Sequence, residues 1–315
     1  KYFPQVNRVT IRSDIEQSMT IEELVNYLTI KEDQSYLFIM NTINAATTLY
    51  QLMREKVKDK IVYLSTHVVP WERLERIKAL QEKKFRLAVT TQLVEAGVDI
   101  DFDVVYRDIA PLDSLIQSAG RCNRNWSKEK GLVNIVRLQD NKRAYSSYIY
   151  DSLLLRETEK VLLKNNVLYE QDLFEMVENY FHLLQNKKSS DDSRKLLEAV
   201  YRLKYTSNDQ QVGIADFQLI EEDYPKLDVF LEINEEAQEV WNAFLEIKEI
   251  KDLWQRRLAF DKIKGDFYQF VVSVPIKVEN LPPEVSGFRY VNNDSLSDFY
   301  DPETGFKLKG GSAIW

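Results

Sequence analysis

The residues best suited to chemistry lie close together: Gln117, Gly120, Arg121 and Arg124, in the pattern Q-x-x-G-R-x-x-R. On a helix, Gln117, Arg121 and Arg124 fall at i, i+4 and i+7, along one narrow stripe. Leu112, Leu115, Ile116 and Ala119 fall on the other side. One face can therefore be buried while an amide and two guanidiniums project together. A guanidinium stays charged, and its fork of N–H donors matches phosphate oxygens. Two of them a turn apart, with no acid on the stripe, suit a polyphosphate. Taken singly, the motif is matched evenly by ordinary surface ion pairs, since short motifs recur by chance; its surroundings tip the balance.

The elements that must position this helix read as a parallel sheet. Apolar runs at Tyr36–Met40, Ile61–Leu64, Leu87–Val89, Val104–Tyr106 and Val133–Val136 are short and rich in β-branched residues. Amphipathic helical stretches at Ile43–Val57 and after Pro70 separate the first three. This alternation implies βαβ units with helices on both faces, and ligands in such sheets bind beyond the carboxyl ends of the strands. Asn41–Thr42, Ser65–Thr66–His67 and Thr90–Thr91–Gln92 follow the first three runs. Each group is what a helix cap requires. Three on one edge, followed by the arginine stripe, favour phosphate binding through hydroxyls, amides and free N–H groups. Asp113 is expected to cap the arginine helix, and Thr20-x-x-Glu23 is a capping box. Glu95 and Asp99 stand four apart, but V-D-I-D-F reads extended, so an acid–base dyad is not favoured.

The combination Q-L-V-E-A-G-V-D-I-D, Y-R-D-I-A-P-L-D-S and Q-S-A-G-R-C-N-R resembles the CRISPR-associated helicase–nuclease of type I interference systems. The order of segments is similar to the second RecA-like domain of a superfamily 2 helicase. DEAD-box proteins usually carry histidine and arginine where this chain has Gln117 and Ser118. The resemblance covers about residues 35–138 and extends weakly to Tyr300–Gly305, YDPETG. It implies an arginine finger at Arg124, with Arg121 beside it and Gln117 at the attacking water or γ-phosphate. It implies ATP binding at Gly97, Asp99 and Gly120, and single-stranded DNA held by Thr91, Asn41 and Thr42, with Ser65 and Thr66 as weaker candidates. A magnesium ion would be held by a first RecA-like domain. Expected partners are DNA, that domain, a nuclease domain and the CRISPR effector complex. Another superfamily 2 nucleic-acid motor, or a non-catalytic fragment binding DNA or the effector complex, remains the alternative.

Several parts of such an enzyme are missing from the sequence. No G-x-x-x-x-G-K-[ST] loop is present: Gly305 and Gly310 have the spacing, but Gly311 takes the lysine position. No acidic box follows a strand, and His67 and His182 form no His-Asp pair. With Cys122 they are too few for an ordinary zinc site. The chain thus reads as the carboxyl-terminal portion of a longer protein, holding half an ATP site and expected to be inactive alone. No run approaches the roughly 18–20 apolar residues of a membrane span, and a soluble, cytoplasmic protein with no membrane partner is expected.

Three segments are expected: residues 1–140 as the second RecA-like domain, 141–210 as a helical brace, and 211–315 as a mixed α+β accessory domain. Helices are expected at Ala144–Lys164, Leu168–Leu184, Leu196–Leu203, Glu236–Lys248 and Leu253–Ile263, with strands at Val229–Ile233 and Phe267–Val274. Ser189–Asp192 reads as a polar turn. Residues 1–138 carry a net +2 and the remainder −10. The acidic part is therefore unsuited to a broad phosphate surface; it fits a protein dock or a lid with few local contacts. Trp241, Trp254, Phe267, Tyr268, Phe288 and Tyr290 are expected in a core rather than stacked on bases.

Overall fold

The computed structural model describes residues 7–126, 130–164, 166–187, 191–208, 212–217, 225–276 and 281–308. Residues 189–190 of the expected polar turn, and Gly310 and Gly311, lie outside them.

The five expected strands form as β2 (Tyr36–Ile39), β3 (Ile61–Leu64), β4 (Leu87–Thr90), β5 (Val104–Asp108) and β6 (Gly131–Leu138). They are preceded by β1 (Val9–Met19) and followed by β7 (Val167–Tyr169), giving a seven-stranded sheet in the order β3-β4-β2-β5-β6-β1-β7. All neighbours are parallel except β7, which runs antiparallel to β1. β1 was not expected although its sequence alternates as a half-buried strand does: Val9, Ile11 and Ile15 are buried, and the charged Arg12 and Glu16 on the opposite phase are exposed. β2, β3 and β4 are buried on both faces, which is why they read as continuous apolar runs.

Alternate residues of these strands feed two cores. Leu37, Ile39, Val62, Leu64 and Val105 pack on one face with Leu115, Ala119 and Leu162. Tyr36, Phe38, Ile61, Tyr63 and Val89 pack on the other with Leu24, Leu49 and Met53. Each fully buried large apolar side chain contributes about 1.5–3 kcal/mol. The covering helices are α1 (Ile21–Tyr27), α2 (Ile43–Lys56), α3 (Pro70–Gln81), α4 (Leu112–Ala119) and α5 (Ser152–Lys164), with α6 (Leu173–Lys187) and α7 (Asp191–Tyr201) beyond. The capping box forms as expected: Glu23 N–H donates to Thr20 Oγ1, and Thr20 N–H to the Glu23 carboxylate.

Three boundaries differ from expectation in the 141–210 segment, one of them at α7, which begins at Asp191 rather than Leu196 and takes in the end of the expected Ser189–Asp192 turn. Tyr145–Tyr148 is a 3-10 turn and the α-helix begins only at Ser152. Val167–Tyr169 joins the first sheet, where a helix was expected from Leu168.

A second sheet contains β8 (Lys226–Leu231), β9 (Val271–Pro275), β10 (Glu284–Val285) and β11 (Phe288–Val291), in the order β10-β11-β8-β9. Helices α8 (Glu235–Lys248) and α9 (Leu253–Gln269) cover one face through Phe230, Trp241, Phe244, Phe267 and Phe270. Of the expected strand Phe267–Val274, the first three residues end α9 and Val271–Val274 form β9. Trp241 and Phe267 are buried, Phe288 and Tyr290 half-buried, but Trp254 and Tyr268 lie exposed on α9.

Gly131 opens β6 where the chain passes close to Cys122: an added Cβ would lie 2.5 Å from Cys122 Sγ and 2.9 Å from Asn123 Cβ. Gly131→Ala is expected to destabilise the chain by about 1–3 kcal/mol through overpacking, measured as a lower denaturant midpoint with an unchanged slope.

Candidate active site at the carboxyl edge of the sheet

The three polar groups singled out in the sequence meet on one edge, because β3, β4 and β2 are adjacent. Thr91 N–H reaches Leu64 O at 3.4 Å, and Gln92 Nε2 donates to Asn41 O at 2.8 Å, stitching the three loops together. Their side chains are not equivalent. Thr42 caps α2, its hydroxyl accepting from Ala45 N–H at 3.1 Å. Ser65 is fully buried and accepts from His67 N–H at 3.2 Å, whereas Thr66 is exposed. Thr91 is nearly buried and uses its hydroxyl for no cap.

Asn41 turns inward. Its amide donates to Asp108 Oδ2 at 2.6 Å and Ile109 O at 2.8 Å, and its oxygen accepts from Arg107 at 2.6 Å. With the residue 1% exposed, its polar atoms are spent inside the protein.

Arg107, at the end of β5, is the centre of this interior. It is fully buried, with Nε on Ser118 at 3.1 Å and Nη1 on Asn41 and on Asp108 O at 2.9 Å. Nη2 reaches Ser114 at 3.1 Å, the Tyr150 hydroxyl at 3.0 Å and the Glu95 carboxylate at 2.9 Å. Glu95 also accepts from Ser114 at 2.8 Å and Ser118 at 3.0 Å. Burial alone would lower the pKa of Arg107; Tyr150, Glu95 and Asp108 outweigh it and raise that pKa above the usual value. A buried charge is tolerated only when its hydrogen bonds are complete, and here every donor of the guanidinium has a partner. Burial pushes the Asp108 carboxyl up to about 7, against the pull of Leu138 N–H, Arg107 and Asn41.

Sequence reasoning quoted Y-R-D-I-A-P but gave Arg107 and Asp108 no role. The available signal was a charged pair ending an apolar strand. Tyr150 and Gln92 gave none, since their partners come from distant segments.

The arginine stripe is not a continuous helix. α4 ends at Ala119, Gly120 is its cap, and Asn123 takes φ +45°. Beyond Gly120 the chain pairs with residue 102 instead: Phe102 N–H donates to Arg121 O at 3.1 Å, and Asn123 N–H to Phe102 O at 2.9 Å. Pro111, not Asp113, occupies the cap position of α4, and Asp113 lies in its first turn.

The two guanidiniums are consequently separated in environment. Arg121 is 8% exposed and donates to Val94 O at 2.8 Å and Glu95 O at 2.7 Å. Burial, and then the charge of Arg124, lower its pKa. Arg124 is exposed and pairs with Asp99 at 2.8 Å, an acid the stripe was not expected to meet. Gln117, Gly97 and Asp99 are exposed, and Gly97 has φ +74°. Glu95 and Asp99 serve different arginines and form no dyad. Among the described residues no group of His, Cys, Asp and Glu could hold a metal. Burial lowers the His67 pKa to about 4. No described helix is long and apolar enough to cross a membrane.

A largely parallel sheet with helices on both faces has the RecA-like architecture. Its polar loops gather at the carboxyl edge, whereas Arg121 and Arg124 lie in the loop after α4, beside the amino ends of β5, β6 and β1. Residues 32–127 match the family described as CRISPR-associated nuclease/helicase Cas3, C-terminal. A relative from Methanothermobacter thermautotrophicus, named CRISPR-associated nuclease/helicase Cas3, is 32% identical over 148 residues, 45% of this chain and 17% of the relative. One of the same name from Haloferax volcanii is 28% identical over 253 residues, 69% of this chain and 26% of the relative. The crystal structure of T. fusca Cas3 superposes with a TM-score of 0.62 at 15% identity, covering 96% of this chain and 42% of that one. The CRISPR RNA-guided surveillance complex in a pre-nicking state contains a chain similar at TM-score 0.57 and 16% identity, covering 91% of this chain and 41% of that one. The chain thus spans about a sixth to a quarter of the length of the first two relatives. Residues 32–127 thus resemble the Cas3-like C-terminal family, and the chain is similar to a portion of these nuclease/helicases.

Two stability measurements test the interior. Arg107→Met leaves Glu95 without its guanidinium partner in a buried site and is expected to cost about 3–5 kcal/mol in denaturant unfolding. Asp108 titrates near 7 folded against 3.8 in its ordinary state, so the folded chain binds more protons between those values. Its contribution to stability therefore falls as pH rises through that window and is constant above it. The stability advantage of wild type over Asp108→Asn should be larger at about pH 5 than at about pH 8.

Proposed function

We propose that the chain is the second motor domain, with its accessory part, of an ATP-dependent single-stranded DNA translocase acting in type I CRISPR interference. The observation that supports this most directly is the separation of Arg121 and Arg124 at the edge of a Cas3-like domain. Arg121 is spent on the carbonyls of residues 94 and 95, while Arg124 stands exposed, its guanidinium paired with the surface residue Asp99. An exposed pair of this kind is worth about 0–1 kcal/mol, so the guanidinium can leave Asp99 at little cost.

In this reading Arg124 is the arginine finger that meets the γ-phosphate when two RecA-like domains close. Arg121 positions the loop that carries Gly97 and Asp99 to the ribose, with Gly120 ending α4 in time to turn both arginines toward it. Gln117 orients the attacking water. Thr91, Thr42, Ser65 and Thr66 form the phosphate-binding edge for DNA, and Asn41 fixes that edge from within. Magnesium, which would neutralise phosphate charge during hydrolysis, would be held by residues of the first domain. The chain alone, carrying half of the site, should not turn over ATP. Residues 1–140 would be the motor part, 141–210 the brace and 211–315 the accessory part, with the effector complex and a nuclease domain as partners of the whole protein.

The test is ATP hydrolysis by the intact parent protein, with and without single-stranded DNA. Arg124→Ala should lower DNA-stimulated turnover by about 10³-fold or more while fold and DNA binding persist. Turnover indifferent to Arg124 would remove the finger assignment. Turnover without DNA stimulation would favour an RNA motor or a binding module.

A further inference from the structure

The turn between β3 and α3, Ser65 to Val69, is held from behind by the second sheet. Val69 is fully buried among Val229, Leu231, Val272, Val274 and Val291. α3 has no side-chain cap, and Pro70 at its start has no N–H. The acceptor that its cap residue needs comes from across the molecule: Val69 N–H donates to the Tyr300 hydroxyl at 3.2 Å. That hydroxyl donates in turn to Glu72 at 2.8 Å, and Glu72 pairs with Arg76 at 3.0 Å. Arg76 ties the first sheet to the Tyr300–Phe306 hairpin, donating to Tyr63 O, Glu303 O and Pro302 O, each at 2.7 Å. Burial, and then Glu72, raise the Tyr300 pKa above the usual tyrosine value, so the hydroxyl stays a donor.

The hairpin that carries Tyr300 fits the turn closely. Tyr300–Asp301 pairs with Gly305–Phe306, and Phe306 N–H donates to His67 O at 2.8 Å. Gly305 has φ +87°, and an added Cβ would lie 2.3 Å from His67 O. Inside the turn, Val68 N–H bonds Ser65 O and His67 N–H bonds Ser65 Oγ, both at 3.2 Å. Thr66 is the exposed residue at the tip, and its backbone N–H and hydroxyl have no partner among the described residues.

We propose that the Tyr300–Phe306 hairpin is a clasp on this turn, and that Tyr300, Glu72 and Arg76 are positioning residues presenting Thr66 to a DNA phosphate. This rests on the DNA-binding reading of the edge given above. The clasp residues do not touch the nucleic acid. They fix the turn so that the tip donors converge without being ordered at the moment of binding, which is where preorganisation gains affinity.

The test uses the full chain, an oligothymidine probe and two readouts. Tyr300→Phe removes only the hydroxyl and should speed backbone hydrogen exchange at residues 65–69, with exchange in β2 and β5 unchanged. It should weaken oligothymidine binding about tenfold, the size of one lost hydrogen bond to a charged group. Glu72→Gln, which keeps an acceptor for Tyr300, should lose less affinity than Glu72→Ala. Unchanged exchange in Tyr300→Phe would overturn the clasp. Faster exchange with unchanged binding would overturn the positioning role. Thr66→Asp separates the two readings, because it repels phosphate and leaves the clasp intact. A wild-type chain that ignores oligothymidine, or a Thr66→Asp chain that binds as well, would overturn DNA gripping by this turn and the positioning role with it. The exchange result would still decide whether the clasp exists.

Discussion

The structure depends on holding one positive charge where no water reaches. Arg107 sits at the end of β5, and its guanidinium joins parts of the chain that the sheet alone would leave independent. Asn41 comes from the loop after β2, Glu95 from the loop after β4, Ser114 and Ser118 from α4, and Tyr150 from beyond β6. A buried charge is costly unless each donor finds its acceptor, so these segments cannot drift separately. The rigidity passes outward in two directions. Through Glu95 it reaches the turn that Arg121 grips, and through Asn41 it reaches the mouth of α2.

Two sides of the domain are thus joined through a single cluster of polar groups. On one side lie Gly97, Asp99 and Arg124; on the other lie Thr42, Thr91 and the loop after β3. Further links between these loops, from the Gln92 side-chain amide to Asn41 O and from Thr91 N–H to Leu64 O, run parallel to this network. A displacement at either side would have to be accommodated by bonds that are already complete. Such an interior favours a few discrete arrangements over continuous deformation.

The sheet was legible because its central strands are buried on both faces and read as unbroken apolar runs. β1 was missed although its alternation is a strand signal, because its three apolar residues, broken at Ser13, stand out less than the unbroken runs; its parallel pairing with β6 places it in the sheet. The polar edge could be read from residue types following the strands, since parallel topology places all such loops on one side. What those side chains do was not legible. Asn41 and Thr42 have similar credentials in sequence, yet one is consumed by Arg107 and Asp108 and the other by a helix start. The arginine spacing matched a helix, but a glycine and a pairing with residue 102 divert the chain and leave one guanidinium buried and one exposed beside Asp99. Long-range partners decided each outcome, and spacing within a segment carries no information about them.

The borders of the large sheet have a further consequence. It ends on one side at β3, four residues long, and on the other at β7, three residues long and reversed in direction. A border strand offers unpaired N–H and C=O groups as a template on which another chain can add. Here each template is too brief to recruit a partner strand of ordinary length, and the reversal breaks the parallel series. Seven strands of largely apolar sequence are thereby kept from growing into a larger assembly, even though the surrounding segment carries almost no net charge to repel its own copies.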